Sequence, residues 1–233
     1  MLHLITPLYH YDLLEKVYRT IPEHDDITWH ISVSNRRERV PYDFVYTDPR
    51  IKLYELDCPD NDPVIKRNVV FDTIKDGYFY LLDDDTIFLT ELYGLYKKTD
   101  ALGFIGMTIG SQIHYRYKGY IKHAVYPRVH PYIADIDSGM VLSHNSVLSK
   151  VKWEWSIEQR DFDFWYRCYL YFGDEHTTIT NTVFSVYNAL GIIKIDKRFL
   201  FVKIKFNITN YRIARGYIAI RSFLRRLKVI KAG

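Results

Sequence analysis

Three adjacent carboxylates, Asp83, Asp84 and Asp85, close an apolar, β-prone run, Tyr78-Phe79-Tyr80-Leu81-Leu82. Like charges at neighbouring positions repel, and a bound cation relieves that repulsion. Oxygen-only ligands suit Mg2+ or Mn2+, ions that commonly join a protein to a diphosphate. The carboxyl end of a central strand is also where open α/β sheets take their ligands. The residue types therefore point to a metal–nucleotide site. Against this stands a plainer reading, in which Asp85-Thr86 starts a solvated turn or caps a helix.

The elements that must position these acids follow from periodicity and breakers. Residues 3–6 read as a first strand stopped by Pro7, and residues 12–19 have helical spacing with Leu13, Leu14, Val17 and Tyr18 on one side. Residues 27–33 alternate as a strand, and a charged loop at residues 35–39 follows. Residues 51–56 form a third strand. Residues 63–74 read as a helix offering Val64, Ile65, Val69, Phe71 and Ile74 to a core, and Gly77 breaks it before the acid-bearing strand. Strands alternating with helices predict an α/β domain with a mostly parallel sheet covered on both faces. Beyond Gly94 the pattern predicts a helix, a strand at 104–109, a long, partly irregular surface insertion at 112–132 and a strand at 133–142. Helices are then expected at 161–171, stopped by Gly173, and at 178–190, ended by Gly191.

Four local signals in this order resemble the nucleotide-sugar glycosyltransferases of the GT-A fold, and the family 2-like inverting enzymes in particular. Leu4-Ile5-Thr6-Pro7-Leu8-Tyr9 resembles the opening strand and nucleotide loop, and Lys66-Arg67-Asn68-Val69-Val70-Phe71 resembles the helix before the metal strand. Leu81-Leu82-Asp83-Asp84-Asp85 resembles the DxD motif. Arg160-Asp161-Phe162-Asp163-Phe164-Trp165-Tyr166-Arg167, ahead of Gly173, resembles the segment that carries the general base. The family usually shows Glu-Asp where this chain has Arg160-Asp161. The resemblance covers roughly residues 3–190.

The resemblance implies roles. Asp85 would ligate Mn2+ or Mg2+ directly, Asp83 would face the ribose or help hold the ion, and Asp84 would orient the loop. His176 would supply a late metal ligand, unless it is a surface histidine. Thr6, Pro7, Tyr9, Arg67, Asn68 and Asp137 would bind the donor, with Arg67 pairing either with a phosphate or with an acid. Asp161 would be the base, with Asp163 the second choice and Glu175 a further alternative; Asp161 is otherwise a helix-start acid favoured by the dipole. Trp153, Trp155 and Trp165 would form a sugar-stacking platform or belong to the core. The implied activity is metal-dependent transfer of a sugar, with inversion, from a nucleoside diphosphate, uridine-based by resemblance, to a hydroxyl of a glycan or lipid-linked acceptor. Two other classes use the same acids: a metal-dependent nucleotidyltransferase or phosphohydrolase, and a non-catalytic glycan- or membrane-binding module.

Composition bounds the rest. With 233 residues, 48% hydrophobic and 26% charged, the chain is ordinary for one globular domain, and its 21 Tyr and 13 Phe suggest extensive ring packing. Cys58 and Cys168 are two thiols far apart, which argues for free cysteines in a reducing compartment. The first residues lack a basic and apolar signal pattern, so the expected location is cytoplasmic. Charge is divided sharply. Residues 194–233 carry twelve cations against the single acid Asp196, while acids outnumber cations in residues 1–193. We divide the chain there into a catalytic-type domain and a basic extension. Ile213, Tyr217, Ile220, Phe223, Leu224 and Leu227 give that extension amphipathic helical spacing. It suits an anionic membrane surface, packing on the domain, or a junction to a further domain. No recognition motif accompanies the charge, so nucleic acid is not an expected partner.

Overall fold

The computed structural model of the chain describes residues 1–116, 120–124, 136–154 and 160–187. Trp155 and the basic extension from Lys194 lie outside the described residues. In chain order the elements are β1 (Leu2–Pro7), α1 (Tyr11–Tyr18), β2 (Ile27–Ser34), α2 (Phe44–Thr47), β3 (Ile51–Leu56), α3 (Pro63–Thr73) and β4 (Tyr78–Leu81). Then follow β5 (Ile87–Phe88), α4 (Thr90–Ala101), β6 (Met107–Arg116), β7 (Tyr120–Ala124), β8 (Val141–His144), α5 (Arg160–Phe172) and β9 (Thr177–Tyr187).

The strands form one sheet in the order β3-β2-β1-β4-β8-β6-β9-β5, with β7 added to the outer half of β6. Strands β3, β2, β1 and β4 run parallel. β8 is antiparallel to both its neighbours, β4 and β6. β9 runs parallel with β6. This one reversal sets the site. It brings the start of β8, with residues 137–140 before it, to the same edge as the carboxyl ends of β1, β2, β4 and β9.

Both faces of the sheet are covered, and β4 displays the reason. Tyr78, Tyr80 and Leu82 point into a core shared with α1, α2 and α4 (Leu14, Val17, Trp29, Val45, Leu92, Tyr96). Phe79 and Leu81 point the other way, into a core with α3 and α5 (Val70, Phe71, Phe164, Trp165, Cys168). The alternation is the period of two that a pleated strand imposes. Helix α3 is well started: the Asp62 carboxylate accepts from the amides of Val64 (2.9 Å) and Ile65 (3.0 Å), and Pro63 occupies the first turn. At Gly77 φ is +70°, and a Cβ there would run into the Met1 carbonyl.

Two sequence expectations need correction. Residues 177–187 form a strand, where a helix was expected over 178–190. Thr177, Thr178, Ile179, Thr180, Thr182, Val183 and Val186 are β-branched, and such side chains pack better on a pleated surface than against a helical turn. The partly irregular insertion from 112 has Gln112–Arg116 paired antiparallel with Tyr120–Ala124, and residues 125–132 lie outside the described residues. Of the strand expected over 133–142, residues 133–135 lie outside the described residues, and in the rest the strand begins at Val141, after a 3-10 turn at Ser138–Met140. The inward face of α3 also differs from expectation: Lys66 and Arg67 are buried with Val70 and Phe71, while Ile65 is 40% exposed. Both cysteines are free and buried. Among the described residues, no helix is long and apolar enough to cross a membrane.

Two histidines sit inside the sheet. His3 Nδ1 lies 2.9 Å from His30 Nε2, and His30 Nδ1 lies 2.9 Å from the Tyr54 hydroxyl. His3 Nε2 reaches the Asp76 carbonyl at 3.1 Å. Burial, with His3 and Lys52 nearby, holds His30 down to about 3, and burial also lowers His3 despite Asp76. The unfolded chain therefore takes up more protons than the folded one below the ordinary histidine pKa of about 6.5. Stability is fully present above that pH and falls as pH drops toward the folded values. Each histidine can contribute a slope of up to about 1.4 kcal/mol per pH unit. Urea midpoints measured between pH 7.5 and 5 should fall, and His30→Gln should flatten that fall; equal slopes in both proteins would remove the pair as its cause.

Candidate functional site

The acids emerge where β4 ends, and the three carboxylates do different work. Asp84 is buried. Its Oδ2 accepts from the amides of Tyr9 (2.5 Å) and His10 (2.6 Å), and its Oδ1 lies 3.1 Å from His10 Nδ1. Asp84 thus ties down the loop that follows β1, the orienting role the sequence suggested. The Asp84 hydrogen bond raises the pKa of His10. Asp83 and Asp85 are left to face the cleft. Burial pushes Asp83 well above the usual carboxylate range; Arg67 opposes the shift, while Asp137, Asp161 and Asp85 add to it. Asp85 is also raised, first by burial and then by Asp84.

Arg67 is the cation at the centre. Its Nη2 lies 3.4 Å from Asp83 Oδ1 and 3.4 Å from Ser138 Oγ, and its Nη1 lies 3.9 Å from Asp161 Oδ1. Its guanidinium lies 4.0 Å from the centre of the Trp153 ring. Of the two roles the sequence left open for Arg67, the structure displays pairing with acids. Asn68 does not face the cleft: its amide exchanges two 2.8 Å hydrogen bonds with the Trp153 backbone and so fixes the ring under Arg67.

The first strand supplies support more than contact. Thr6 is buried, and its hydroxyl donates to the Leu82 carbonyl at 2.6 Å while accepting from Trp29 Nε1 at 2.8 Å. Pro7 is buried as the last residue of β1. The Thr6 hydroxyl is thus engaged within the protein. Tyr9 is better placed. Its ring lies 4.1 Å from Lys66 Nζ, its carbonyl accepts from Arg37 Nη1 at 2.6 Å, and its phenol is pushed up by burial within reach of Arg67, Asp84 and Asp83. Lys66 is itself fully buried and donates to the carbonyls of Leu8 (2.9 Å) and Asp60 (2.6 Å).

The reversed strand and α5 complete the cluster. Asp137 is raised to about 6 by burial and by Asp161, with the amides of Ser138 and Gly139 and then Arg67 pulling the other way. Asp161, in the first turn of α5, accepts on Oδ2 from Ser138 Oγ (2.7 Å) and from the Ser138 amide (3.3 Å). Asp163 takes part in none of these contacts. His176 and Glu175 are exposed in the turn before β9, beside Phe104. Because β9 runs parallel with β6, that turn lies at the opposite edge of the sheet from Asp83–Asp85, so His176 does not join them. Trp153 and Trp165 are core residues: Trp165 stacks on Phe79 at 5.7 Å, and Trp153 packs on Phe164 at 4.6 Å.

Sequence reasoning missed Tyr187. It ends β9, and its phenol is pushed up by burial and by Asp85, Asp83, Asp137 and Asp161, which places it at the same cluster. The β-branched run before it was the available signal. His10 was missed too, and nothing in its sequence context distinguished it from a surface residue.

Among the described residues, no three His, Cys, Asp or Glu side chains form a ready cage for a metal ion. The donor set still fits a hard cation, because Mg2+ and Mn2+ are commonly held by one or two carboxylates together with substrate phosphates. Asp83 and Asp85 are the carboxylates not committed to the loop, and burial is the first cause of their raised pKa values.

No protein-family model matches this sequence, and no curated protein matches it. Solved structures do match its fold. S. aureus TarS, residues 1–349, superposes with a TM-score of 0.59 at 13% identity, covering 80% of this chain and 60% of that one. The same TarS fragment in complex with UDP-GlcNAc gives 0.56 at 12% identity over 79% of this chain and 57% of that one. Its complex with UDP gives 0.54 at 11% identity over 79% and 59%. The chain therefore spans less than two thirds of the length of these structures. At such identities the likeness is one of fold, and the fold is α/β of the GT-A type: a mostly parallel central sheet flanked by helices.

Proposed function

We propose that this chain is a metal-dependent glycosyltransferase that moves a sugar, with inversion, from a nucleoside diphosphate, UDP in the first instance, to a hydroxyl of a glycan or lipid-linked acceptor. The observation that carries the reading is the convergence of Asp83, Asp137 and Asp161 on Arg67 at the carboxyl edge of the sheet, with Asp85 within electrostatic reach of Asp83. The likeness in fold to a protein solved with UDP-GlcNAc and with UDP supports a nucleotide-sugar donor.

In this reading Asp83 and Asp85 hold Mn2+ or Mg2+, which when bound neutralises charge on the departing diphosphate. Tyr9 lies against the nucleotide, on a loop fixed by Asp84, Lys66 and Arg37. Asp137 faces the sugar hydroxyls. Asp161 Oδ1 takes the proton of the acceptor hydroxyl while the acceptor oxygen bonds to the anomeric carbon. The bond from that carbon to the phosphate oxygen breaks, and its electron pair leaves with the nucleoside diphosphate. The basic extension would bring the domain to an anionic membrane bearing the acceptor.

A second reading is favoured by one observation. Asp137 and Asp161 stand within electrostatic reach of Asp83, which gives more carboxylate than one ion needs. A metal-dependent nucleotidyltransferase would use that surplus for a second ion. It would release pyrophosphate from UTP and a sugar 1-phosphate, whereas the transferase releases UDP from a sugar nucleotide.

Two measurements test the proposal. A sugar nucleotide at about 100 times its Kd stabilises the folded state by about 2.7 kcal/mol, several degrees in Tm. UDP-sugars with Mn2+ should raise Tm by that order, and Asp85→Ala should abolish the metal-dependent part; an unchanged shift in Asp85→Ala would remove Asp85 from the metal site. Asp161→Asn should keep the donor-induced shift and lower transfer by roughly 10²–10⁴-fold, the usual worth of a general base. Transfer at the wild-type rate would reassign the base.

A further inference from the structure

We infer that Ser138 is a positioning residue for Asp161, holding its carboxylate off the Arg67 guanidinium so that one oxygen stays usable. The inference rests on the reading of Asp161 as the base.

A carboxylate beside an arginine ordinarily closes into a two-pronged pair with bonds of about 2.7–2.9 Å. Asp161 and Arg67 do not. Asp161 Oδ1 stands 3.9 Å from Nη1, outside hydrogen-bond reach. The other oxygen explains the gap. Oδ2 accepts both from the Ser138 hydroxyl (2.7 Å) and from the Ser138 amide (3.3 Å). The same hydroxyl accepts from Arg67 Nη2 at 3.4 Å. Ser138 therefore stands between cation and anion and gives each a partner. Full pairing with the guanidinium would stabilise the charged carboxylate and make it a poorer proton acceptor.

A spacer works only if it cannot move, and Ser138 is anchored from below. It is 1% exposed, in the turn before β8. The carbonyl of the next residue, Gly139, lies 2.8 Å from the Tyr80 hydroxyl and 3.3 Å from Ser185 Oγ. Tyr80 and Ser185 are themselves 2.8 Å apart, and Gln112 Nε2 donates to Ser185 at 2.9 Å. Tyr80 belongs to β4, Gln112 to β6 and Ser185 to β9, so three strands grip one peptide. A Cβ on Gly139 would strike Gln112 and Ser185, which is why a glycine follows the serine. These groups make a buried polar floor beneath the turn. Its output is the orientation of the Ser138 amide and hydroxyl.

The test uses the full chain in three variants: Ser138→Ala, Ser138→Thr and Asp161→Asn. Crystal structures of the first two read the geometry directly. In Ser138→Ala the Asp161 carboxylate should swing onto Arg67 to about 3 Å, and in Ser138→Thr, which restores a hydroxyl, it should stay. A carboxylate that keeps its place in Ser138→Ala overturns the inference, whether or not any donor turns over. UDP-GlcNAc, followed as UDP released to water, gives the catalytic readout. Ser138→Ala should lose about tenfold or more in kcat with KM for the donor unchanged, and Ser138→Thr should recover most of it. A purely structural serine would lower Tm without this split between kcat and KM. Full turnover in Asp161→Asn would remove the base assignment and leave the geometric result standing, so the two failures are distinguishable.

Discussion

At the carboxyl edge of the sheet Asp83, Asp85, Asp137 and Asp161 gather near Arg67, whose guanidinium lies 3.4 Å from Asp83 and 3.9 Å from Asp161. That excess of acid among the described residues is the constraint from which the site follows. Asp137, raised to about 6, carries roughly 3 kcal/mol of disfavour for its charged form. A domain only marginally stable overall keeps such a cost where function uses it. The imbalance also explains the local architecture. Asn68 gives up its amide to hold Trp153 beneath Arg67, and Ser138 fills the space between Arg67 and Asp161. Trp153, Ser138 and Asp161, three neighbours of the guanidinium, are each held by a further partner.

Topology supplies what local sequence cannot. In a purely parallel sheet, the residues preceding β8 would lie at the far edge. Because β8 runs against β4, with Tyr80 opposite Leu142, the turn carrying Asp137 and Ser138 comes beside the end of β4. The parallel return of β9 then delivers Tyr187 to the same edge and leaves His176 at the other. One reversed strand therefore decides both which acids meet and which histidine is excluded.

The parts of this arrangement visible in the sequence are those set by short-range rules. The apolar run ending at Leu82, the alternation from Ile27 and the capped helix after Asp62 each follow from periodicity or capping, and all are present. The three-acid end of β4 and the acid at the start of α5 were legible as residue types in order. What stayed hidden depends on pairing between distant segments. Residues 177–187 satisfied a helical count of apolar positions, yet their β-branched side chains favour the sheet, and β6 provides the partner. Lys66 was absent from the apolar face that periodicity assigned to this helix, because charges are rarely buried, and it is the Leu8 and Asp60 carbonyls that give it partners inside. Thr6 and Asn68 were read as ligand contacts on the strength of a motif, and their polar groups turn out to be spent on the protein's own backbone.

The division of labour within Asp83-Asp84-Asp85 shows how a short motif becomes a site. The triplet lies in the turn that follows β4, closed by the Thr86 amide donating to the Asp83 carbonyl at 3.1 Å. The middle acid turns inward and meets the amides of Tyr9 and His10, at the point where the chain leaves β1. That inward bond sets the distance between the β1 loop and the acids that flank Asp84. Lys66 fixes the same loop from its other side, through the Leu8 carbonyl and the Tyr9 ring. The loop is thus held by an anion and a cation, both drawn from the body of the domain. Tyr9 reaches the cleft on a backbone that is already ordered, and a ligand arriving there need not supply the free energy to order it. The central acid of the triplet contributes through this preorganisation, and the two outer acids take no part in holding the loop.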